Sequence, residues 1–242
     1  MAKQTSMVTF TGTIGGVTFY NTSEGPRARQ KGGVTKSRIM NDPKYERTRE
    51  NMQEFGTASH MALLLKHAVR DSLIRVPDST FHSRFISILS EAVKNDPVSD
   101  RGSRVLTPEN LAILKGFRAN KARSLKSTLN CYYEVSKTDR AVQFTFEELQ
   151  PQEFRGPSNA THFRLFAEAA AVELEAEEAD GVRTESDYLP MELNPGDLSF
   201  TLEFEGETFP HKVCMLGIEF FKFVAGKPYP VAKKKYNTAE FV

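Results

Sequence analysis

The chain has 242 residues, of which 39% are hydrophobic and 26% are charged. This is the composition of a folded globular protein and not of a disordered one. No window approaches eighteen uninterrupted apolar residues, so the sequence predicts no membrane span. The first segment, MAKQTSMVTFTG, lacks the apolar core of a secretory signal. We therefore expect a cytoplasmic protein.

The net charge of +1 conceals opposite charges on two halves of the chain. Residues 1–138 carry 22 Lys and Arg against 12 Asp and Glu, a net +10, whereas residues 139–242 carry 10 against 19, a net −9. Such an asymmetry is expected where a protein contacts nucleic acid, where its halves contact each other, or where subunits contact each other. Charge alone leaves all three interpretations open.

Residues 1–40 are predicted to contain a β-hairpin or meander arm followed by a basic connector. In the arm, apolar residues alternate with threonines and glycines interrupt the run. So small an arm cannot bury enough apolar surface to be stable alone, so its apolar face must pack on the rest of the chain or on another copy. We assign five residues to a self-association surface: Val8, Phe10, Ile14, Val17 and Phe19.

The stretch GPRARQKGGVTKSR, residues 25–38, holds five basic residues and no acidic one. Its glycines and its lack of apolar periodicity predict a loop or an extended connector. Flexible cations of this kind suit a nucleic-acid backbone or the acidic half of another subunit, and a merely solvated surface is the third interpretation. The predicted basic surface comprises Arg27, Arg29, Lys31, Lys36, Arg38, Arg47 and Arg49.

Two to three amphipathic helices are predicted in residues 41–128. The first begins at Asn41-Asp42-Pro43, ends before Pro77 and has a potential weak point at Gly56. Three- and four-residue spacing predicts its apolar side to comprise Tyr45, Met52, Phe55, Ala58, Ala62, Leu65, Val69 and Leu73.

The second predicted helix begins at Asp78 or Ser79 and ends near Asn95. Its apolar side comprises Phe81, Phe85, Ile88, Leu89 and Ala92. A third, shorter helix is predicted to begin at Thr107-Pro108 and to break near Gly116.

Residues 129–242 are predicted to form an acidic antiparallel β-sandwich, which makes the fold class α+β. Alternating or continuous apolar runs place strands at residues 131–135, 141–146, 198–204, 213–224 and 239–242. A tight turn is predicted at Glu205-Gly206-Glu207. The stretch 163–178 is ambiguous, because its alanines and glutamates favour a helix whereas its alternation favours a strand; we favour the strand.

The sequence offers no catalytic or metal-binding signature. The glycine-rich run at residues 12–16 lacks the Lys-Ser/Thr ending of a phosphate-binding loop, and His60 and His67 are too far apart on one helix to share a zinc ion. There is no Gly-x-Ser-x-Gly motif, and Cys131 and Cys214 are too few for a disulfide framework. We therefore expect a protein that is not an enzyme, needs no cofactor and has no small-molecule substrate.

Six motifs are spread along the chain: GTIGGVTFY at residues 12–20, ARQKGG at 28–33, NDP at 41–43, RTRENMQEFG at 47–56, LGIEFF at 216–221, and the segment from Tyr229-Pro230 to Tyr236-Asn237. In these motifs the sequence resembles a family of uncharacterised proteins from Bacteroidota genomes, over most of the chain with gaps in the middle. The resemblance implies an arm, helices and a sheet in that order and a cytosolic bacterial origin. The family has no assigned activity, so no functional residue is carried over.

Together these observations predict a non-catalytic structural subunit that self-assembles through its N-terminal β arm into a filament, shell or phage-like particle. Its partner would be itself, because an arm strand can complete a neighbour's sheet and contacts between opposite charges can join successive copies. The alternative is a nucleic-acid-binding accessory protein that uses the basic N-terminal segment. A carbohydrate- or peptide-binding sandwich is less favoured, since the chain contains no tryptophan. No membrane partner is indicated.

Overall fold

The computed structural model describes residues 1–205 and 209–242 and divides into two compact units, Met1–Arg49 and Glu50–Val242. The chain contains helices and antiparallel sheets, which confirms the predicted α+β class. In the part of the chain that is described, no helix combines the length and the apolar character needed to cross a bilayer.

The first unit contains a four-stranded antiparallel sheet in the order β1-β4-β3-β2. Its strands are β1 (Ala2–Lys3), β2 (Gly12–Ile14), β3 (Val17–Thr22) and β4 (Gly25–Gln30). Residues 25–38 were predicted as a loop or an extended connector, but residues 25–30 are a strand and residues 36–38 begin a helix. The backbone of β4 pairs with β3 along its whole length, from Gln30 opposite Val17 to Gly25 opposite Thr22.

Two short helical elements follow the sheet, α1 (Lys36–Asn41) and a 3₁₀ turn at Pro43–Tyr45. The 3₁₀ turn has Pro43 in its first turn, and the side chain of Asp42 accepts a hydrogen bond from the backbone N–H of Lys44 at 3.0 Å. Asp42 and Pro43 thus cap a helical segment where the sequence predicted one.

The main helices are α2 (Glu46–Ala68), α3 (Arg70–Arg75) and α4 (Phe81–Lys94). The second predicted helix is confirmed, whereas the first, predicted as one continuous helix, is divided into α2 and α3. The chain passes through Gly56 without a break. The interruption lies at Val69 instead, where φ is −112° and ψ is 28°.

The apolar side of α2 differs from the prediction near its beginning. Met52 and Phe55 are 52% and 57% exposed, whereas Glu54 is only 4% exposed. The carboxylate of Glu54 accepts a hydrogen bond from the backbone N–H of Gly102 at 2.9 Å and lies 3.8 Å from Arg104. The loop that contains Gly102 and Arg104 therefore covers this part of α2. It covers Glu54, which binds the loop, and leaves Met52 and Phe55 exposed.

The third predicted helix is a 3₁₀ helix, Glu109–Leu114, and not an α-helix. Leu111 and Leu114 are buried as predicted. Gly116 has a φ of 82°, a left-handed conformation that glycine adopts without strain, and the helix ends before it. A further short helix, α5 (Leu125–Thr128), was not predicted.

The rest of the chain is mostly strand: β5 (Glu134–Lys137), β6 (Ala141–Leu149), β7 (His162–Glu173), β8 (Glu178–Glu185), β9 (Leu189–Pro190), β10 (Gly196–Glu203), β11 (His211–Val224), β12 (Lys227–Pro230) and β13 (Thr238–Phe241). A 3₁₀ turn, Pro151–Glu153, follows β6, and the short helix α6 (Lys233–Tyr236) precedes β13. The strand interpretation of residues 163–178 is confirmed through Glu173. Residues 131–133 precede β5 and are not strand, and Gly206 and Glu207 of the predicted turn lie outside the described residues.

These strands form two antiparallel sheets. One has three strands in the order β10-β6-β5, and the other has the order β12-β11-β7-β8 with β13 beside β11 and β9 beside β7. The central strands β7 and β11 are buried on both faces. On β7, Phe166 and Ala170 pack with α2 and α4, while Leu165 and Ala167 pack with the three-stranded sheet. Nearly every side chain of β7 is therefore buried, which removes the alternation typical of a half-exposed strand.

Candidate self-association surface

The strand register of the N-terminal sheet sorts its side chains onto two faces of opposite character. The first face, here called the apolar face, carries Ala2, Ile14, Val17, Phe19, Pro26 and Ala28, with Asn21 and Gln30 at the ends of its strands. The second, here called the basic face, carries Lys3, Thr13, Thr18, Tyr20, Arg27 and Arg29. The sheet is therefore amphipathic, although apolar and polar residues are interspersed along the sequence of its strands.

The apolar face is only partly covered: Val17, Phe19, Pro26 and Ala28 are half-buried, and its other residues are exposed. Ile14 is 61% exposed, and Phe10, whose ring centroid lies 5.7 Å from that of Phe19, is 52% exposed. All residues from 1 to 49 are described, and none of them is buried. Burial of side chains on one face is what stabilises a small sheet, so this sheet needs further apolar contacts.

Two of the five predicted arm residues, Val8 and Phe10, lie in the loop between β1 and β2, so their prediction as strand residues was wrong. The side chain of Gln4 holds this loop. Its Oε1 accepts a hydrogen bond from the backbone N–H of Phe10 at 2.9 Å, and its Nε2 donates to the carbonyl of Arg27 at 3.1 Å. These bonds replace a strand ladder, yet Phe10 still reaches the apolar face through its contact with Phe19.

The basic face brings together cations from the neighbouring strands β1 and β4. Lys3 lies opposite Arg27, and Arg27 lies opposite Tyr20. The guanidinium of Arg29 lies 5.6 Å from the centroid of the Tyr20 ring, a cation–π distance. Arg27 forms an ion pair with Glu24. Across Met1–Arg49 there are nine basic and three acidic residues, a net charge of +6.

The other predicted cations lie outside the sheet: Lys31, Lys36, Arg38, Arg47 and Arg49. Arg38 Nε lies 3.3 Å from Asp42 Oδ2. Arg49 Nη1 donates to the carbonyls of Ile39 and Asp42 at 2.8 and 3.0 Å, so this arginine supports the end of α1. The seven predicted residues thus do not share one face, and only Arg27 and Arg29 belong to the basic face.

Sequence reasoning missed Pro26 and Ala28 as members of the apolar face. The signal was present, because Pro26-Arg27-Ala28-Arg29 alternates apolar and basic residues with the period of a strand. The surrounding glycines and cations led to a loop prediction instead. Proline is compatible with this position because the paired residues of β1 and β4 end at Lys3 and Arg27, and Pro26 next to them acts only as an acceptor: its carbonyl accepts a hydrogen bond from the backbone N–H of Gln4 at 3.0 Å.

The surroundings of the two cysteines disfavour their thiolate forms. Burial raises the pKa of the Cys131 thiol to about 12, and burial also raises the pKa of Cys214. The thiolate is the nucleophilic form, so neither cysteine is poised to react near neutral pH. Over residues 1–205 and 209–242, no group of three or more His, Cys, Asp or Glu side chains is arranged to hold a metal ion.

Comparisons with protein-family models, with curated proteins and with solved structures found no match to this chain. The resemblance to a Bacteroidota family therefore stays a hypothesis. Function has to be argued from the amphipathic N-terminal sheet and from the chemistry of the second unit.

Proposed function

We propose that this chain is a non-catalytic structural subunit that self-assembles through its N-terminal sheet. One observation carries the proposal: the apolar face is built by the strand register, and it belongs to a unit in which no side chain is buried. Exposed apolar patches on folded proteins commonly mark interaction surfaces. Because the patch belongs to every copy, a second copy is the simplest partner to supply the missing burial.

The proposed contact pairs apolar faces of two copies, with Ile14, Val17 and Phe19 at its centre. In this proposal residues 1–40 act as the β arm, and the two C-terminal sheets form the β-sandwich of the subunit body. The first unit carries a net +6 and residues 50–242 carry 23 basic against 28 acidic residues, a net −5. Attraction between unlike units of successive copies would extend the assembly into a filament, shell or phage-like particle.

The test compares two aspartate substitutions at adjacent positions of β3. Phe19→Asp places a charge on the apolar face, and Thr18→Asp places the same charge on the basic face. We expect wild type and Thr18→Asp to form multimers in light scattering and Phe19→Asp to remain a monomer, because a carboxylate is strongly disfavoured in an apolar contact. Both variants should show the same far-ultraviolet circular dichroism as the wild type.

Salt and microscopy separate the two contributions to assembly. High salt is expected to shorten the assemblies without reducing them to monomers, since screening weakens charge contacts but not apolar ones. Electron microscopy would show whether the product is a filament or a closed shell. A wild-type protein that is strictly monomeric at both low and high salt would refute the proposal.

The basic face favours a second candidate function, nucleic-acid binding. Tyr20 lies among Lys3, Arg27 and Arg29, and an aromatic ring among cations is the arrangement that binds single strands by stacking and charge. Replacement of Lys3, Arg27 and Arg29 by alanine should abolish binding of a labelled single-stranded oligonucleotide, and wild-type affinity should fall steeply with salt. An affinity that does not change with salt would exclude this function.

A further inference from the structure

A groove in the second unit lies between the end of α2, the segment from α3 to α4, and the loop that contains Lys121. Its volume is about 1080 Å³. Its apolar lining includes Leu73, Ile74 and Pro77, and Ile74 is 60% exposed. Four cations from separate elements also line it: Lys66, Arg70, Lys121 and Lys234.

Cations outnumber carboxylates in the lining of the groove, although residues 50–242 carry a net negative charge. Asp78 is the one carboxylate among the described residues that line it, and its charge is already matched. Asp78 Oδ2 accepts hydrogen bonds from Arg84 Nη2 at 3.0 Å and from the backbone N–H of Lys121 at 2.9 Å, while Oδ1 accepts one from the backbone N–H of Thr80 at 2.7 Å. The four cations of the groove therefore have no carboxylate in the lining to neutralise them.

Two of the lysines are held next to each other by a buried asparagine. Asn120 is 3% exposed, and its Nδ2 donates to the backbone carbonyls of Lys234 and Asn237, each at 3.0 Å. Its Oδ1 accepts from the backbone N–H of Ala122 at 2.9 Å, which fixes the loop that carries Lys121. The backbones of two lysines that are distant in sequence are thus fixed at one wall of the groove.

We infer that this groove binds a phosphate ester with an apolar body. Lysine and arginine are side chains that commonly bind phosphate groups, and several cations in one place favour a ligand with more than one negative charge. Leu73, Ile74 and Pro77 offer a surface for the apolar body, and the volume suits a small organic ligand.

This inference does not rest on self-assembly, because none of the groove residues belongs to the N-terminal sheet. It also differs from the nucleic-acid candidate in the residues that it uses. Free phosphate esters and the phosphates of a nucleic-acid strand share the same chemistry, so the experiment includes a separate arm for each.

Isothermal titration of the full chain with three probes tests the two parts of the site. The probes are 1-naphthyl phosphate, inorganic phosphate and 1-naphthol. We expect 1-naphthyl phosphate to bind more tightly than either of the others, because only this compound has both the charge and the apolar body. Binding of 1-naphthyl phosphate that is no tighter than that of inorganic phosphate would overturn the inference of an apolar subsite.

Charge reversals locate the binding. Lys121→Glu and Lys234→Glu should each weaken the binding of 1-naphthyl phosphate about tenfold, because each substitution removes a cation and adds an anion beside the phosphate. The matched control is Lys222→Glu, which makes the same charge change at an exposed position of β11. The control should change the affinity less than about twofold, since exposed charges at a distance are screened. Melting temperatures equal to that of the wild type would show that the variants are folded.

Two further results would overturn the inference: no detectable binding of 1-naphthyl phosphate to the wild type, or equal weakening by Lys222→Glu and the two groove variants. A single-stranded oligonucleotide of about twelve bases is titrated in parallel. Tighter binding of the oligonucleotide, lost in Lys121→Glu and Lys234→Glu but kept in Lys222→Glu, would assign the phosphates to a nucleic acid. If the groove variants lost binding of 1-naphthyl phosphate but kept that of the oligonucleotide, the phosphates would be assigned to a small molecule.

Discussion

The carboxylate of Glu168, in the middle of β7, accepts a hydrogen bond from the backbone N–H of Ser72 at 2.7 Å and a longer one from that of Asp71 at 3.3 Å. Ser72 lies in the first turn of α3, and no side chain caps that helix from within its own segment. Unbonded N–H groups at a helix start must be satisfied by another partner. The central sheet supplies that partner, and it thereby fixes α3 on its surface.

The first prediction concerns the charge of Glu168, which is 5% exposed. Burial raises the pKa of this carboxyl, although the N–H groups of Ser72 and Asp71 act against the rise. A pKa that is raised in the folded state means that folding favours the protonated form of this carboxyl. The stability that Glu168 contributes is therefore complete below the ordinary pKa of glutamate, and it is lost as the pH rises through the pKa of the folded state. Glu168→Gln should therefore be at least as stable as the wild type at pH 7.

Glu168→Ala is the contrasting variant. It leaves the N–H groups of Ser72 and Asp71 without an acceptor and should lower the free energy of unfolding by about 1–3 kcal/mol. Urea denaturation at pH 5 and pH 7 measures both variants. If Glu168→Gln lost as much stability at pH 7 as Glu168→Ala, the capping role would require the negative charge, against our expectation.

The second prediction concerns Asp78, whose side chain is 12% exposed. Burial alone would raise its pKa, but the backbone N–H groups of Lys121 and Thr80 and the charge of Arg84 lower it to about 2. Because the folded pKa lies below the ordinary value, the contribution is complete above about pH 4 and is lost as the pH falls towards 2. A shift of this size corresponds to about 2 kcal/mol.

Asp78→Asn should accordingly lose about 2 kcal/mol at pH 7 and almost nothing at pH 2 relative to the wild type. Guanidinium denaturation at both pH values gives the two differences. A loss that stays constant with pH would show that the hydrogen bonds of Asp78, and not its charge, stabilise the fold.

Some elements could be predicted from sequence because one physical requirement determined them. On α4, Phe81, Phe85 and Leu89 recur on one side because a single face of this helix is buried, and spacing alone identified it. The strand β7 gave a weaker signal, because burial on both faces removes alternation and leaves a run of alanines that also favours a helix.

Other features depend on contacts that spacing does not encode. The loop at Phe10 is set by hydrogen bonds from the side chain of Gln4, and such local bonds compete with strand pairing without leaving a periodic pattern. The groove depends on Asn120, which brings the backbone of Lys234 to the loop of Lys121. Neither lysine has a sequence context that points to the other, so this candidate site emerges only from the folded chain.

A third prediction compares two glycine substitutions. A Cβ at Gly217, on β11, would overlap the ring of Phe166, which is 2% exposed and cannot move aside freely. Gly217→Ala should therefore destabilise the protein by about 1–3 kcal/mol. Gly56, inside α2, has no described atom within 4 Å of such a Cβ, so Gly56→Ala should stabilise by about 1 kcal/mol through helix propensity. Thermal unfolding should show shifts of opposite sign, and two shifts of the same sign would contradict this packing.

The last prediction concerns a charged network that joins α3 to the central sheet. Glu219, which is 4% exposed, accepts hydrogen bonds from Arg75 Nη1 at 2.7 Å and Arg164 Nη2 at 2.6 Å. Glu185 pairs with the same two arginines. Burial acts to lower the pKa of Arg75, but Glu219 and Glu185 raise it overall, so the guanidinium stays charged. Two positive and two negative groups thus balance each other.

A double-mutant cycle of Arg75→Met and Glu219→Leu measures how strongly this contact joins helix and sheet. Each single variant leaves a buried charge with fewer partners and should lose about 3 kcal/mol, whereas the double variant should lose less than the sum. The matched control is the exposed pair Arg183–Asp71, whose atoms are 2.7 Å apart and whose side chains are 58% and 42% exposed. Water screens that pair, so its coupling should stay below about 1 kcal/mol. Equal coupling energies in the two cycles would mean that burial adds nothing to the Arg75–Glu219 contact.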